Sequence, residues 1–281
     1  MTSVPTRRRS WLFTPATKPE RFDRAAEAGA DALIVDLEDA VAPADKATAR
    51  QTALDWMATP HDGRPEGGIV RVLRINAPGT AFGLEDLLAL VRSPAEPDLI
   101  LVPKTDSADT LRLIDGLLTE SGKATRLVAL IESARGVALA EAIAQSTPRL
   151  DALFFGAADL AADLGAEVAW EPLLAARSRV VNAAALAGIA AIDSPFFALT
   201  DEAGLRAEVA AAVRMGFTAK AAIHPRQIAP INEALTPTPD QVAEARLILE
   251  ENAKGVGVVA GRMIDEAVAR KARRILAAAG Q

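Results

Sequence analysis

The sequence of 281 residues contains no cysteine. This absence excludes a disulfide framework, a thiolate nucleophile and a zinc site built from cysteines. It leaves the cellular compartment open, although a chain without thiols fits well with a reducing cytosol.

The sequence also lacks a basic excess. Its 31 lysines and arginines are outnumbered by 37 aspartates and glutamates, which gives a formal net charge of −6. A nucleic-acid-binding surface needs the opposite balance, so we expect no nucleic-acid partner. Anionic small-molecule substrates remain compatible with this composition, because they require only a local cluster of Arg and Lys.

Long apolar runs are missing as well. A membrane-spanning helix needs about 20 consecutive apolar residues, and no stretch of the chain approaches that length. The short run Trp11-Leu12-Phe13 follows three arginines but stops at Thr14-Pro15, far short of a signal-peptide core. We therefore expect a cytoplasmic protein with no membrane association.

Short apolar runs alternate with longer helical stretches along the chain. Many of the runs are apolar throughout, as buried parallel strands are, and there are eight of them: Arg9–Thr14, Ala32–Leu37, Ile69–Ile75, Leu99–Val102, Leu127–Ile131, Ala152–Phe155, Ile189–Ile192 and Thr218–Ile223. This alternation predicts an α/β fold, a (β/α)8 TIM barrel formed by residues 1–235.

The stretches between the strands carry apolar residues at helical spacing, for example Leu111, Ile114 and Leu118, and Leu205, Val209, Ala212 and Val213. Gly29, Gly188 and Gly216 stand where left-handed helix ends are expected. Residues 236–281 form a predicted C-terminal lid segment. It begins a helix near Thr238-Pro239, passes through a flexible Gly255-Val256-Gly257 and ends in a last helix from about Asp265.

Polar residues follow almost every predicted strand. Catalytic groups of such barrels gather where strands end and loops begin, and here the strand ends supply Asp36-Leu37-Glu38-Asp39, Arg74-Ile75-Asn76, Pro103-Lys104, Glu132-Ser133, Gly156-Ala157-Ala158-Asp159, Asp193-Ser194-Pro195 and His224-Pro225. Several carboxylates together with two cations suit a hard metal ion and an anionic substrate. A merely polar rim with internal salt bridges is the alternative.

The same residues carry a family resemblance over nearly the whole chain. In order and spacing, the chain resembles the citrate lyase beta-subunit-like family of the HpcH/HpaI-type aldolase group, which includes citryl-CoA, citramalyl-CoA and malyl-CoA lyases. The matching motifs are Ser10–Pro15, Pro19–Phe22, Gly29–Val41, Arg74–Asn76, Pro103-Lys104, Ile131–Ala134, Ala191–Ser194, Gly216-Phe217, Lys220, Ile223–Pro225 and Met263–Asp265.

This resemblance implies a Mg²⁺-dependent carbon–carbon lyase that acts on an acyl-CoA thioester. It implies Glu132 and Asp159 as the metal ligands and Arg74 as the residue that grips the carboxylate or keto oxygen of the substrate. We assign Glu38 and Asp39 to the orientation of Arg74, and Lys104 and Arg21 to substrate binding. Lys18 and the Arg7–Arg9 cluster are further candidates for contacts with CoA phosphates.

The resemblance also implies a homotrimer with a shared active site, in which the C-terminal segment lies over a neighbouring subunit. Asp265 would then be the catalytic base for that neighbour, because the carboxylates at the strand ends are committed to the metal and the cations. The alternative for Asp265 is an N-cap of the last helix, a position that Asp favours.

The expected reaction is cleavage of a 3-hydroxyacyl-CoA, of the citryl-CoA or citramalyl-CoA type, to acetyl-CoA and a 2-keto acid. Three alternatives remain. A class II pyruvate-type aldolase acting on free hydroxy-keto acids typically carries a His after strand 2, and Asp36–Val41 contains none. Malate-synthase-like condensation or thioester hydrolysis fits the same scaffold. A non-catalytic trimeric assembly subunit is the third, and retention of Arg74, Glu132, Asp159 and Asp265 argues against it.

Overall fold

Eight parallel strands close into a barrel in the computed structural model, which describes residues 8–59, 68–253, 255, 257–259 and 262–280. Each strand pairs with the next one along the chain, and the last pairs with the first. The strands are β1 (Ser10–Pro15), β2 (Ala32–Asp36), β3 (Val70–Arg74), β4 (Leu99–Val102), β5 (Arg126–Ile131), β6 (Leu150–Phe155), β7 (Ala190–Asp193) and β8 (Ala219–Ala222). The predicted fold class is confirmed.

Alternate residues of each strand face the inside and the outside of the barrel, because successive side chains of a strand point to opposite faces. In β2, Ala32 and Ile34 pack with Trp11, Val72, Leu130 and Phe154 in a cluster that fills the barrel interior. Leu33 and Val35 belong instead to the larger cluster between the strands and the surrounding helices. Both faces are therefore apolar, which explains why the strands read as continuous apolar runs.

The helices cover the outside of the barrel. They are α1 (Phe22–Glu27), α2 (Lys46–Ala58), α3 (Ala81–Arg92), α4 (Ala108–Glu120), α5 (Ala134–Ala138), α6 (Ala140–Ala144), α7 (Ala157–Leu164), α8 (Trp170–Ala187), α9 (Glu202–Met215) and α10 (Ile228–Leu235). Short 3-10 turns occupy Pro19–Arg21, Pro43–Asp45 and Pro225–Gln227.

The helical spacing predicted most of the buried faces correctly. Leu111, Ile114 and Leu118 of α4 are buried, as are Leu205, Val209 and Ala212 of α9. Val213 was wrongly assigned to that face, because its side chain is 40% exposed. Gly188 and Gly216 adopt left-handed φ values of 69° and 109° after α8 and α9, as predicted.

Beyond α10, the chain forms α11 (Pro239–Asn252), the antiparallel strands β9 (Gly257–Val259) and β10 (Arg262–Ile264), and α12 (Glu266–Ala278). Thr238 starts α11 with a capping box that includes Gln241. The two-stranded hairpin was not predicted, because its glycines suggested only a flexible connection. No helix among the described residues has the length and apolar character needed to cross a membrane.

Candidate active site

Three charged side chains extend the inward-facing rows of the barrel at its C-terminal end. Ile34, Val72 and Leu130 fill the barrel interior, and two positions further along the same strands stand Asp36, Arg74 and Glu132. All three are buried. The period of two along a strand thus brings residues from β2, β3 and β5 together above an apolar floor.

Arg74 is held by Asp36 in a two-pronged ion pair. Its Nε donates to Asp36 Oδ1 and its Nη2 to Asp36 Oδ2, both at 2.7 Å. The Asp36 carboxylate also accepts from the backbone N–H groups of Glu38 and Ala40. The guanidinium lies over the ring of Phe13, with its central carbon 5.0 Å from the ring centroid. Such a fork fixes the plane of the guanidinium, so its remaining N–H groups have a defined direction.

Glu38 joins Arg74 to Lys104. Its Oε2 lies 2.9 Å from Arg74 Nη1, and its Oε1 accepts from Lys104 Nζ at 2.8 Å. Asp39 is more distant, 3.7 Å from Arg74 Nη1 and 3.8 Å from Lys104 Nζ. Glu38 thus lies in direct contact with Arg74, and Asp39 lies beside it at a longer distance.

Lys104 also contacts Glu132, through its backbone. Its N–H donates to Glu132 Oε1 at 2.7 Å. Lys104 has a φ of 50°, the only left-handed non-glycine residue in the described chain, a conformation that costs free energy for an L-residue. The turn of the chain at Lys104 directs this N–H toward Glu132. Arg135, which follows Glu132 closely in sequence, lies near Asp106 and does not pair with Glu132.

Gly156, at the end of β6, leaves room for Glu132. A Cβ atom at this position would lie 2.5 Å from Glu132 Cβ and 2.8 Å from Glu132 Oε2. No side chain can occupy that space without displacing the carboxylate. Glu132 Oε2 receives no hydrogen bond from any described residue, so it is available to another ligand.

Burial and neighbouring negative charge disfavour ionisation of Glu132. Burial, followed by the charges of Glu38 and Asp159, raises the pKa of Glu132 from its usual 4.5 to about 8. Asp159 lies in the first turn of α7. Its side chain forms no hydrogen bond or ion pair with the described residues, and its charge is one of those that raise the pKa of Glu132. Both predicted metal ligands therefore have carboxylate oxygens without a hydrogen bond.

The charges around Glu132 do not balance. With every carboxyl group ionised, five carboxylates (Asp36, Glu38, Asp39, Glu132 and Asp159) would face three cations (Arg74, Lys104 and Lys46), which would leave two excess negative charges. A divalent cation would compensate both and would favour ionised Glu132. Across the described ranges, no group of three or more His, Cys, Asp or Glu side chains forms a preformed metal cage. Mg²⁺ commonly uses only one or two carboxylates, with water and substrate as its other ligands.

Other predicted residues lie away from this cluster. Arg21 is on the exposed turn after β1, with Nε 3.9 Å from Glu20 Oε1. Arg8 and Arg9 precede β1 and thus lie at the opposite end of the barrel, where they pair with Asp151 and Asp31. Arg8 and Arg9 are thus far from the strand ends that carry the charged cluster, and Arg7 lies outside the described residues.

Asp193 faces the outside of the barrel. Its carboxylate accepts from Arg177 Nε at 3.0 Å and from Lys220 Nζ at 2.6 Å, and Lys220 also contacts Glu208. This buried group ties β7 and β8 to α8 and α9. Asp193 therefore holds two neighbouring cations on the outside of the barrel, although it was predicted among the polar residues at the strand ends.

Asp265 stands at the start of α12 and is exposed. Its Oδ1 accepts from the backbone N–H of Val268 at 3.0 Å, which makes it the N-cap of the helix. The capping role is present in this structure. A cap uses one carboxylate oxygen, so the other is still available to accept a proton.

Sequence reasoning overlooked two residues beside the cluster. Asp36 was seen at the end of a strand but was not assigned to Arg74. The alternation along β2 was a sufficient signal, because Asp36 follows Ala32 and Ile34 on the inward face and is the register partner of Arg74. Lys46 was missed because a lysine at the start of a helix suggests an exposed side chain; it is buried.

Comparison with known proteins gives a consistent result. The sequence profile of the family described as HpcH/HpaI aldolase/citrate lyase matches residues 9–225. An L-malyl-CoA/beta-methylmalyl-CoA lyase from Rhodobacter capsulatus is 35% identical, over 95% of this chain and 93% of its own length. Citrate lyase subunit beta from Escherichia coli K12 is 36% identical, over 97% and 93%. The crystal structure of CitE from Mycobacterium tuberculosis in complex with magnesium, acetoacetate and coenzyme A matches with a TM-score of 0.80 and 35% identity, over 97% of this chain and 98% of that one.

Proposed function

Because the chain belongs to the HpcH/HpaI aldolase/citrate lyase family, we propose that it is a Mg²⁺-dependent lyase that cleaves a 3-hydroxyacyl-CoA of the citryl-CoA or citramalyl-CoA type. Its curated relatives are lyases, and the chain is a carbon–carbon lyase of the CoA-ester class. The products would be acetyl-CoA and a 2-keto acid. The observation that supports this most directly is that two groups lie at the same end of the barrel. They are Arg74, oriented by Asp36, and Glu132, whose Oε2 accepts no hydrogen bond from the described residues.

Glu132 and Asp159 would hold Mg²⁺. Their free oxygens and the excess negative charge fit this ion, and the related CitE structure contains magnesium. When bound, the ion supplies Lewis-acid polarisation of the oxygens of the keto acid. Lys104 contributes through its backbone, because its N–H fixes the orientation of the Glu132 carboxylate.

Arg74 would bind the carboxylate or developing keto oxygen of the substrate. Asp36 uses Nε and one N–H of Nη2, and the guanidinium has further N–H groups to donate. The side chain is 8% exposed, so only an edge of the guanidinium is accessible. A guanidinium fixed in this way is already oriented for the transition state, which is the arrangement that gives the largest electrostatic benefit. The Lys104 ammonium, half-exposed beside it, would add a second contact for an anionic substrate.

The reaction would start with removal of the proton from the 3-hydroxyl group. The O–H electron pair then forms the carbonyl of the 2-keto acid as the C2–C3 bond breaks. The electrons of that bond pass to the thioester as an enolate, and a proton returns to carbon to give acetyl-CoA. We propose Asp265 of a neighbouring subunit as the base, in a homotrimer whose sites are shared.

A substrate panel tests this function. Purified protein with Mg²⁺ is given citryl-, citramalyl- and malyl-CoA, and release of acetyl-CoA is followed with and without EDTA. We expect cleavage of at least one thioester, loss of turnover with EDTA and recovery with added Mg²⁺ or Mn²⁺. Free 4-hydroxy-2-keto acids and acetyl-CoA with glyoxylate are assayed alongside. Turnover only of the free acids would identify a class II aldolase. Release of free CoA, from a thioester of the panel or from acetyl-CoA with glyoxylate, would identify thioester hydrolysis or the malate-synthase-like alternative, because a lyase running in reverse keeps the thioester bond. Absence of all turnover would favour an assembly subunit.

A further inference from the structure

Lys46 is a buried lysine directly behind the active-site loop. It is the first residue of α2 and is 7% exposed. Its Nζ donates to the backbone oxygens of Leu37 and Glu38, at 2.7 and 2.6 Å. These two residues follow β2 and connect the ion pair of Asp36 with the contacts of Glu38. Lys46 thus binds the main chain of the site and reaches none of the proposed substrate contacts.

A buried ammonium group at the start of a helix is electrostatically unfavourable unless nearby negative groups offset the cost. Burial removes water from the ammonium group and lowers the pKa of Lys46, whereas nearby Asp36 and Glu38 oppose that effect. The N-terminus of a helix also carries a partial positive charge, which repels a cation. An apolar side chain would avoid both costs. The ammonium is favoured here because two carbonyl groups and an excess of carboxylates surround it.

The peptide that Lys46 holds determines the position of Glu38. One oxygen of the Glu38 carboxylate lies 2.9 Å from Arg74 Nη1 and the other accepts from Lys104 Nζ. A shift of this backbone would therefore disturb both cations of the site together. We propose that Lys46 is a positioning residue, which fixes the Leu37-Glu38 main chain so that Glu38 can orient Arg74 and Lys104. The inference rests on the proposed lyase function and adds a determinant of its geometry.

One turn later, α2 supports the neighbouring loop in a similar way. Arg50 Nε donates to Asp86 Oδ1 at 2.6 Å. The other oxygen of Asp86 accepts from the backbone and side-chain nitrogens of Asn76, at 2.8 and 2.7 Å. Residues four apart share one face of a helix, so Lys46 and Arg50 fix the loops after β2 and β3 from a single face of α2. Arg74 lies between the two supported segments.

The chain contains a matched control for Lys46. Lys123 is likewise buried, and its Nζ donates to two backbone oxygens, those of Ser93 and Ala95, at 2.9 and 2.8 Å. Lys123 lies just before β5, at the opposite end of the barrel from the site. Lys46→Met and Lys123→Met therefore remove the same group with the same kind of partners, at different distances from the chemistry.

Both variants are compared by crystal structure, thermal unfolding and kinetics on the best thioester of the panel. We expect both to lower the unfolding midpoint. Only Lys46→Met should displace residues 37–39 and lower kcat, by about 100-fold, because a misplacement on the order of 1 Å costs that much. An unmoved loop, or a moved loop with unchanged kcat, would overturn the proposal. If the wild-type protein cleaves no thioester, the lyase function fails and the loop position alone decides the role of Lys46.

A charge-restoring variant serves if Lys46→Met does not fold. The chain has no cysteine, so Lys46→Cys provides a single thiol. Alkylation of the unfolded chain with 2-bromoethylamine, followed by refolding, restores an ammonium group of nearly the same length as lysine. Wild-type protein taken through the same cycle is the reference. Recovery of the loop position and of kcat by alkylation supports the proposal, whereas recovery of folding without recovery of either contradicts it.

Discussion

Asp36 and Arg74 are register partners in neighbouring strands, and the Asp36 carboxylate accepts hydrogen bonds from Nε and Nη2 of Arg74, both at 2.7 Å. A planar fork is required for this pairing, and lysine does not provide one. We expect Arg74→Lys to keep the fold but to lower kcat/KM by about 100-fold or more. The measurement is steady-state kinetics on the best thioester, with circular dichroism to verify folding. Near-wild-type kcat/KM would mean that Arg74 is a structural cation only.

Glu132 should make the metal-free protein less stable at high pH. Its pKa is raised to about 8 in the folded protein, above the unfolded value of about 4.5. The contribution of Glu132 to the free energy of unfolding is therefore fully present below pH 4.5 and is lost as pH rises through 8, because folding disfavours the ionised form. We expect Glu132→Gln, which cannot ionise, to unfold several degrees above wild type at pH 8.5 in EDTA, with little difference near pH 4.5.

Saturating Mg²⁺ should reverse that order at pH 8.5. A ligand that binds the folded state raises its stability, and only the wild type retains the Glu132 carboxylate. Thermal unfolding of both proteins with and without Mg²⁺ provides the comparison. A wild-type midpoint that does not respond to Mg²⁺ would argue against Glu132 as a metal ligand.

Gly156→Ala should impair metal binding through a steric effect. The added methyl group would lie 2.5 Å from Glu132 Cβ, closer than side-chain carbons normally approach, so Glu132 must move. We expect a loss of Mn²⁺ affinity of about 10-fold or more, measured by titration calorimetry. Gly116→Ala, in the middle of α4, is the control, because nothing lies within 4 Å of its added atom. An unchanged Kd in Gly156→Ala would show that Glu132 has room to adjust.

Asp265 can be tested separately as a cap and as a base. Asp265→Ser and Asp265→Asn both preserve the side-chain acceptor that an N-cap requires, and both remove the carboxylate. If Asp265 is the base, both variants should bind metal and CoA thioester nearly normally and lose turnover. If it only caps α12, both should remain active.

Mixed trimers test whether the site is shared. Asp265→Asn and Glu132→Gln should each be inactive alone. When the two are co-refolded, some sites combine an intact Glu132 with an intact Asp265 from the neighbour, and activity should return at a fraction of the wild-type level. Mixed trimers without activity would place Asp265 in its own subunit or in a capping role only.

The buried group around Asp193 should be important for stability and not for turnover. Asp193→Asn would leave Arg177 and Lys220 without their shared charge partner in a site that is closed to water. Removal of one partner of a buried pair typically costs about 3–5 kcal/mol. We expect a loss of that order in chemical denaturation, with kcat within about twofold of wild type at a temperature where the protein is folded. A large decrease in kcat would return Asp193 to the candidates for the active site.

The sequence was sufficient to predict all eight barrel strands to within two residues of their ends, because most strands are apolar on both faces. It was less informative about charged residues. The inward position of Asp36 followed from strand periodicity, but the pairing with Arg74 depends on the register of β2 and β3. No local sequence pattern predicts the burial of Lys46, because its side chain is covered by the loop after β2, whose Leu37 and Glu38 oxygens it contacts. The β9–β10 hairpin depends on contacts with α11 and α12, which no short pattern predicts.

Ion pairs join the residues at the ends of β2, β3 and β4, and the backbone N–H of Lys104 connects Glu132, after β5, to them. Among the described residues, no side chain at the ends of β6, β7, β8 or β1 forms an ion pair with this network. Where β6 ends, the inward position is a glycine, and β1 ends in Pro15. Substitutions on the β6–β1 side that spare Gly156 and Asp159 would therefore change the shape of the barrel mouth beside Glu132 without removing one of these ion pairs. The acid that is released would then change while the charged groups of the site stay in place.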